Sequence, residues 1–498
     1  MSDEAFIGID VGTSSVKAVA VSAAGKVLAS ADSPMRVTVP APGWAEQQPE
    51  EWWAATSSSV RSVTDALPAS TTVKAIGLSG QMHSLVALDA SGQVVRPAIL
   101  WSDVRTSAQC TTIREIVGDD GLRRMCGNPA LEGFTATKLL WLRDNEPEVF
   151  RRIDRFCLAK DFVRFRMTGE LATEPSDAAA TLLMDVAQHR WSPEMCDLLN
   201  LDQSLLPQML ESGGIAGRVT AEAAEMMGVP VGTPVAGGGA DNACAAAGVG
   251  VVAVGTLLVS VGTSGTVVAP VAKPLVDPGM RIHSMAHVDP AMWYLMGVVL
   301  SAGAALAWWR NSVTASSDSP GFDDLVNGGA TTNPGADGLT FLPYLTGERT
   351  PHADANARGV FAGLHAGHTR AHMTRAVMEG ISFALRDSLE LMKPLGVSTD
   401  HAVAVGGGAR SGFWLQMLAD ILGVPLRTVG PAEGAPLGAA MLAAVATGTF
   451  GSLAEAGRSW LTTTGEAIPN AGTTDAYSAA YARYGSLYAH LKDWFKGQ

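Results

Sequence analysis

Three stretches of the chain combine glycine, hydroxyl and ionisable residues at spacings suited to handling an anion. The first is FIGIDVGTSSVKAV, residues 6–19. An apolar run leads to one acid, Asp10. Gly12, Thr13 and Ser14 follow, and then Lys17. β-branched residues on both sides of a Gly-Thr-Ser tip predict a hairpin. Glycine lets backbone N–H groups approach a ligand closely. Consecutive N–H groups, with hydroxyls and a lysine nearby, suit phosphate. Asp10, just before the turn, suits a divalent cation riding on that phosphate. A plain surface hairpin with a polar tip is the competing reading of this stretch alone.

A second copy shifts the balance. Val261, Gly262, Thr263 and Ser264 repeat Val11 to Ser14, again between β-branched runs, half a chain away. That spacing predicts a duplicated architecture with two phosphate-gripping hairpins facing each other. The copy carries Ser260 and Val267 where the first carries Asp10 and Lys17, so only the first supplies an acid.

The other two stretches are glycine runs. Gly237 to Ala240 carry Asp241 and Asn242 into an apolar region, where a carboxylate needs a function or a buried hydrogen bond. Gly406, Gly407 and Gly408 follow an apolar strand and precede Ser411 and a helix over 413–422. That is a nucleotide-type arrangement, with a helix N-terminus favouring negative charge. It is neither GxGxxG nor GxxxxGK[ST], so a nucleotide would be gripped differently. It mirrors Ile76 to Gln81, another strand into a glycine loop.

The elements that must position these residues follow from the pattern. The chain is long enough for two large domains, at 498 residues, and we divide it at 1–248 and 249–498. With 47% hydrophobic and 17% charged residues it reads as globular. A net charge of −13 without a basic run argues against nucleic acid or an anionic membrane as partner. Five cysteines without a CxxC pair and an acidic N-terminus fit the cytoplasm. The charge-free run 242–272 is long enough for a membrane span, but its glycines predict a buried helix and a hairpin. A strand pair is expected over 26–39, a helix opening at Pro49 to Trp53, and helices over 135–145, 192–227 with breaks, 300–310 and 369–393. Polar loops at strand ends make Gln81 and His83 site candidates. Trp101 offers a flat face to a carbon chain, and Asp103 and Arg105 offer hydroxyl partners or a plain ion pair. His283 and His287 fall too far apart on a strand to suggest a metal.

Together these stretches resemble the FGGY carbohydrate kinases of the actin-like ATPase superfamily. The resemblance rests on Gly8 to Ser14, Gly262 to Gly265, Gly406 to Ser411, and the run from Gly359 through Phe361, Gly363, His372 and Ala376 to Glu379. Gly80 to His83, Trp44 to Trp53, Leu100 to Arg105, Met167 to Glu170, Gly239 to Asn242 and Phe341 to His352 are most similar to the xylulose-phosphorylating branch. Ala240 departs from the family's glycine run.

The resemblance implies an α/β fold of two actin-like, ribonuclease H-like domains, each a mixed sheet flanked by helices, with a cleft between them. Sugar would sit on the first domain and ATP on the second, with the terminal hydroxyl of D-xylulose as acceptor. Asp241 would be the catalytic base, and Asp10 would hold Mg²⁺. Met82, His83, Trp101, Asp103, Asp241 and Asn242 would orient the sugar. Gly12, Thr13, Ser14, Lys17, Gly262, Thr263, Ser264, Trp308, Gly406, Gly407, Gly408 and Ser411 would hold the nucleotide. The resemblance leaves room for a homodimer. The alternatives are a kinase for another ketopentose or pentitol and, remotely, a non-catalytic actin-like ATPase.

Overall fold

The computed structural model describes residues 3–313 and 321–497. Two seven-stranded mixed sheets form its two halves. In the first, the hairpin Asp3–Val11 and Ser15–Ser22 lies between the parallel strand Thr71–Gly80 and the antiparallel strand Val27–Pro34. In the second, the hairpin Gly255–Val261 and Gly265–Val271 lies between the parallel strand Thr399–Val405 and the antiparallel strand Trp293–Val299. The order is the same in both, so the duplication read from the two Gly-Thr-Ser tips extends to sheet topology.

Helices cover the sheets where the sequence places apolar faces. Pro49–Asp65 starts on a proline with Glu50 and Glu51 in its first turn, both favourable there. Arg370–Met392 buries Val377, Ile381 and Leu385 on one stripe. The charge-free run resolves into the helix Asp241–Gly248 and the second hairpin. Among the described residues no helix is long and apolar enough to cross a membrane.

Three expectations need correction. Residues 26–39 hold one strand, Val27–Pro34, because after it the chain makes only an isolated bridge from Thr38 to Glu46. Residues 192–227 hold two short helices, Pro193–Leu199 and Ala221–Met227, with strands Gln208–Met209 and Ile215–Arg218 between them. Pro207 and the Gly213-Gly214 pair break the helical run more completely than the polar pattern suggests. The helix expected over 300–310 starts at Gly303.

One helix of the second half, Ala435–Ala446, packs on the first half. It lies across the strands Asp3–Val11 and Thr71–Gly80 and against the helix Asp241–Gly248. Glycines make this approach possible. A Cβ on Gly8 would meet the Pro436 carbonyl at 1.8 Å, and one on Gly77 the Ala439 carbonyl at 1.9 Å. A Cβ on Gly438 would meet the Cys244 carbonyl at 1.9 Å, and one on Gly248 the Gly434 carbonyl at 2.3 Å. Backbone thus packs on backbone, with no side chain free to give way. Gly438→Ala is expected to cost about 2–3 kcal/mol in denaturant unfolding. Gly485→Ala, in the helix Ala471–Phe495 where an added Cβ meets nothing within 4 Å, is the control and should stabilise by about 1 kcal/mol.

Candidate active site

The first hairpin tip, the Gly80-to-His83 loop and the Asp241 loop come together: Thr13 meets Gln81, Asn242 meets Met82, and the Asp10 charge reaches Asp241. Gly12 to Ser14 form the first tip, with Asp10 opposite Lys17 in the register. A chain of amides fixes this tip. Gln47 donates to the Thr13 carbonyl at 2.8 Å and accepts from Trp52 at 2.9 Å and from Gln81 at 3.2 Å. The Trp101 indole N–H donates to the Thr13 hydroxyl at 2.9 Å. Trp101 keeps 43% of its surface exposed, so its ring remains open to a ligand. Gln47 was not among the expected site residues. It lies in the WAEQQPEEWW stretch, where Glu46 and Gln47 are buried while Gln48, Glu50 and Glu51 face solvent.

Asp241 opens the helix Asp241–Gly248. Its Oδ1 accepts from the Asn242 backbone N–H at 2.6 Å and from the Asn242 side chain at 2.8 Å. Among the described residues Oδ2 has no partner, which leaves it for a ligand. The Asn242 amide also lies 3.7 Å from the Met82 sulfur, which joins the sugar-side residues Met82, Asp241 and Asn242 in one group. Burial, and then the Asp10 carboxylate, push the Asp241 carboxyl up to about 8. Asp10 is raised too, by burial, with Ser79 and Lys17 pulling it part of the way back. Asp10 Oδ1 is buried without a hydrogen-bond partner. Two mutually repelling carboxylates with unspent oxygens at the floor of a cleft are poised for a cation and a proton.

His83 sits beside this group in a left-handed conformation, φ 64°. Its Nδ1 lies 2.9 Å from the Ala180 carbonyl, which can only accept, so Nδ1 carries the proton. Burial, then Lys138, hold the ring well below its usual value and neutral. Nε2 therefore offers a lone pair and accepts from a donor. The Lys138 ammonium and the Thr135 hydroxyl both donate to the His83 carbonyl and hold the strained backbone.

Asp103 is not a sugar contact. It is fully buried, and its carboxylate takes the Ala45 N–H at 2.6 Å and the Arg105 guanidinium at 2.7–3.0 Å. Arg105 also pairs with Glu46 at 2.8 Å and stacks on Trp44 at 3.7 Å. The pair is a strut beneath the Trp101 loop. Its buried partners come from residues 44–46, a long-range contact that no local pattern displays.

The second tip, Gly262 to Ser264, is braced by the helix Gly303–Trp308. The Gly303 N–H donates to the Gly262 carbonyl at 2.7 Å, and Ala302 and Ala304 donate to the Thr263 carbonyl. A Cβ on Gly303 would stand 2.5 Å from that Gly262 oxygen. Beside this tip is a cavity of about 630 Å³ whose polar edge is Gly262, Thr263, Gly407, Gly408 and Ser411 and whose apolar wall includes Leu306, Ala307, Phe322 and Trp414. A flat heterocycle fits the apolar wall, with its phosphates toward Thr263. Gly406 has φ 89°, and a Cβ there would meet the Val261 carbonyl at 2.5 Å, so the glycine loop folds onto the hairpin. Ser411 also caps the helix Gly412–Leu422 through the Trp414 N–H. Trp308 does not line this cavity. It stacks on Phe341 at 6.2 Å, and Leu306 and Ala307 face the cavity instead. The helix begins later than expected, which turns Trp308 away. Gly303 and Phe322 were not anticipated; Gly303 is legible only as a small residue following a strand.

Lys17 reaches across the cleft rather than standing free. Its Nζ lies 2.6 Å from Glu433 of the second half. His283 and His287 are buried in place by other contacts: His283 Nδ1 lies 2.9 Å from Asn128 Oδ1, and His287 Nδ1 accepts from the Asp289 N–H at 3.0 Å. All five cysteines are free and buried.

Paired phosphate hairpins on duplicated sheets, a glycine loop and a cleft carboxylate define a sugar-kinase architecture. The chain belongs to the FGGY family of carbohydrate kinases, whose N-terminal domain matches residues 5–248 and C-terminal domain residues 257–447. It is a carbohydrate kinase, with a sugar and ATP as its small-molecule partners. It is 39% identical to the xylulose kinase of Bacillus subtilis (strain 168), over 98% of this chain and 97% of that one. The ligand-bound xylulose kinase of Lactobacillus acidophilus superposes with a TM-score of 0.94 at 28% identity, covering 99% of each chain. The gluconate kinase of the same organism superposes with a TM-score of 0.93 at 29% identity, covering 98% of each.

The raised Asp241 pKa has a consequence for stability. An unfolded aspartate ionises near 3.8, whereas folded Asp241 keeps its proton up to about 8. The stability this group contributes is full below 3.8 and is lost as pH rises to about 8. Asp241→Asn has no such loss. Its stability advantage over wild type should grow between pH 4 and 8 and then level off, as read by denaturant titration at a series of pH values. A constant gap across that window contradicts the raised pKa.

Proposed function

We propose that this protein transfers the γ-phosphoryl group of ATP to the terminal hydroxyl of D-xylulose, giving D-xylulose 5-phosphate and ADP. The observation that carries this reading is the free Oδ2 of Asp241, held by Asn242 beside Met82 and facing the cleft between the two hairpin tips. The similarity to xylulose kinases along nearly the whole chain supports the choice of sugar.

Phosphoryl transfer needs in-line placement and charge neutralisation more than covalent help. Met82, His83, Trp101 and Asn242 orient the sugar, with His83 Nε2 accepting from a hydroxyl. Asp241 acts in its ionised form, the scarcer one below about pH 8, and in that form takes the proton of the attacking hydroxyl. A carboxylate suffices as base, since a loose transition state lets that proton leave late. Thr13 and Ser14 from one tip, and Thr263 and Ser264 from the other, grip the phosphates between them. The cavity beside Gly303 and Gly407 takes the adenosine. The buried, unpartnered Asp10 Oδ1 fits a divalent cation held directly or through water. When bound there, Mg²⁺ would neutralise charge on the transferring phosphoryl group. On this reading the sugar side is residues 1–248, the nucleotide side 249–498, and the setting cytoplasmic.

Asp241→Asn should lower kcat for xylulose by about a thousandfold while ATP affinity stays within about twofold. Near-normal turnover in a coupled ADP assay removes Asp241 from the base role. Asp10→Ala should raise the Mg²⁺ concentration needed for half-maximal rate by about tenfold or more, and an unchanged Mg²⁺ dependence counts against Asp10 as the cation's ligand. A panel of ketopentoses and pentitols ranked by kcat/KM tests the sugar itself. A preference for another member assigns the chain to that substrate.

A further inference from the structure

A second cavity, of about 600 Å³, opens where residues 187–212 of the first half meet residues 287–293 of the second. None of its lining residues belongs to either hairpin tip, the Gly406 loop or the Met82–His83 segment. Its walls are aromatic. His189 lies tilted over Trp293, with ring centroids 4.6 Å apart, and Trp191 lines the same space. Both indole N–H groups are already used, by the Pro207 and Val186 carbonyls, so the indoles offer only their carbon surfaces.

The polar lining, by contrast, is unspent. The side chains of Gln188, Arg190 and Glu211 make no hydrogen bond or ion pair among the described residues. The Nε2 atoms of His189 and His287 close no full hydrogen bond, but the rings lie beside backbone carbonyls, Pro290 for His189 and Val251 for His287. His287 is 1% exposed, and its Nδ1 accepts from the Asp289 N–H. The proton of this neutral ring is therefore on Nε2, beside the Val251 carbonyl.

The chemistry of the lining selects a class of ligand. Aromatic faces suit the C–H side of a sugar. The Gln188 amide, the Glu211 carboxylate and the Arg190 guanidinium together supply donors and acceptors for hydroxyls. Arg190 and Glu211 balance in charge, so the lining holds no cationic excess for a phosphate. We propose that this cavity is a second carbohydrate site, which binds an unphosphorylated pentose or pentitol apart from the substrate in the cleft. The ligand class rests on the cavity's own groups and stands whichever sugar is phosphorylated.

The site also abuts the loop that carries the base. The Ser212 carbonyl accepts the Gly238 N–H at 3.0 Å, and the Ser212 hydroxyl donates to Glu174 at 2.8 Å. A Cβ on Gly239 would stand 2.4 Å from Val288. Ser212 and Val288 thus line the cavity on one side and bracket the glycine run ahead of Asp241 on the other. A ligand that contacts both halves of the chain biases how they sit together, and by linkage the cleft substrate biases its binding in return.

The test is calorimetric titration of the full-length enzyme with D-xylulose, D-xylose and xylitol in turn. At least one should bind with two molecules per chain. Gln188→Ala and Glu211→Ala remove exposed side chains and should each weaken the second site by tenfold or more, while xylulose phosphorylation without added effector stays within twofold of wild type. One molecule per chain for all three sugars overturns the proposal, as does a second site that survives both substitutions. Binding of inorganic phosphate that neutral sugars do not displace overturns the ligand class. The coupled ADP assay reads the kinase reaction separately, so either result can fail alone.

Discussion

The active site depends on one contact, the helix Ala435–Ala446 laid on the first half of the chain with glycines in place of side chains. Gly8 is on the strand that ends in Asp10. Gly77 is on the strand that delivers Gln81, Met82 and His83. Gly248 closes the helix that Asp241 opens. All three meet the same segment of backbone, from Gly434 to Ala440. Asp10, the Gln81-to-His83 loop and Asp241 are thereby referred to one rigid element, although they lie far apart in sequence. Packed interiors do not deform continuously, so such contacts fix positions more tightly than flexible side chains would. The second half of the chain contributes this element, and the two halves cannot be placed independently.

Upon that frame the cleft collects negative charge. The Asp10 carboxylate stands close enough to raise Asp241, and Asp177 adds to the field there. Beneath them Lys160 is fully buried among Asp161, Glu174 and Asp177 at 3.0–3.2 Å, with Arg164 at 3.0 Å from Asp161. The cluster does more than balance charge. Glu174 caps the short helix that follows it, and the Ser176 hydroxyl in that helix accepts the Ala240 N–H at 2.9 Å, one residue before the base. Buried ion pairs contribute little net stability once desolvation is counted. Here their effect is geometric, holding the base loop against the repulsion between the cleft carboxylates.

Much of this was legible locally. The two Gly-Thr-Ser tips predict both hairpins and the duplication, because turn chemistry and β-branched flanks are short-range signals. The glycine runs mark the Asp241 and Gly406 loops for the same reason. What was not legible depends on contacts between distant segments. Asp103 has the residue type of a sugar ligand, yet Ala45 and Arg105 consume its carboxylate. Trp308 has the type of a nucleotide platform, yet the helix starts late and turns it onto Phe341. Lys17 has the type of a phosphate ligand, and Glu433 meets it from the other half. The helix Ala435–Ala446 reads APLGAAMLAAVA, apolar on every face, which signals a helix buried all round but not what buries it.

The backbone places the reaction without choosing the sugar. A xylulose kinase and a gluconate kinase from one organism superpose on this chain almost equally well. Selection must therefore reside in individual atoms at the sugar end of the cleft. His83 shows how narrow such a choice is. The Ala180 carbonyl fixes its proton on Nδ1, and burial with Lys138 prevents a second proton from binding, so Nε2 can only accept. On the proposed function, the sugar presents a donor hydroxyl at that point. The left-handed backbone that aims the ring is held by Thr135 and Lys138, on a helix that touches no reacting atom. Specificity is thus carried by a tautomer and by the scaffold that enforces it, which a fold comparison cannot register.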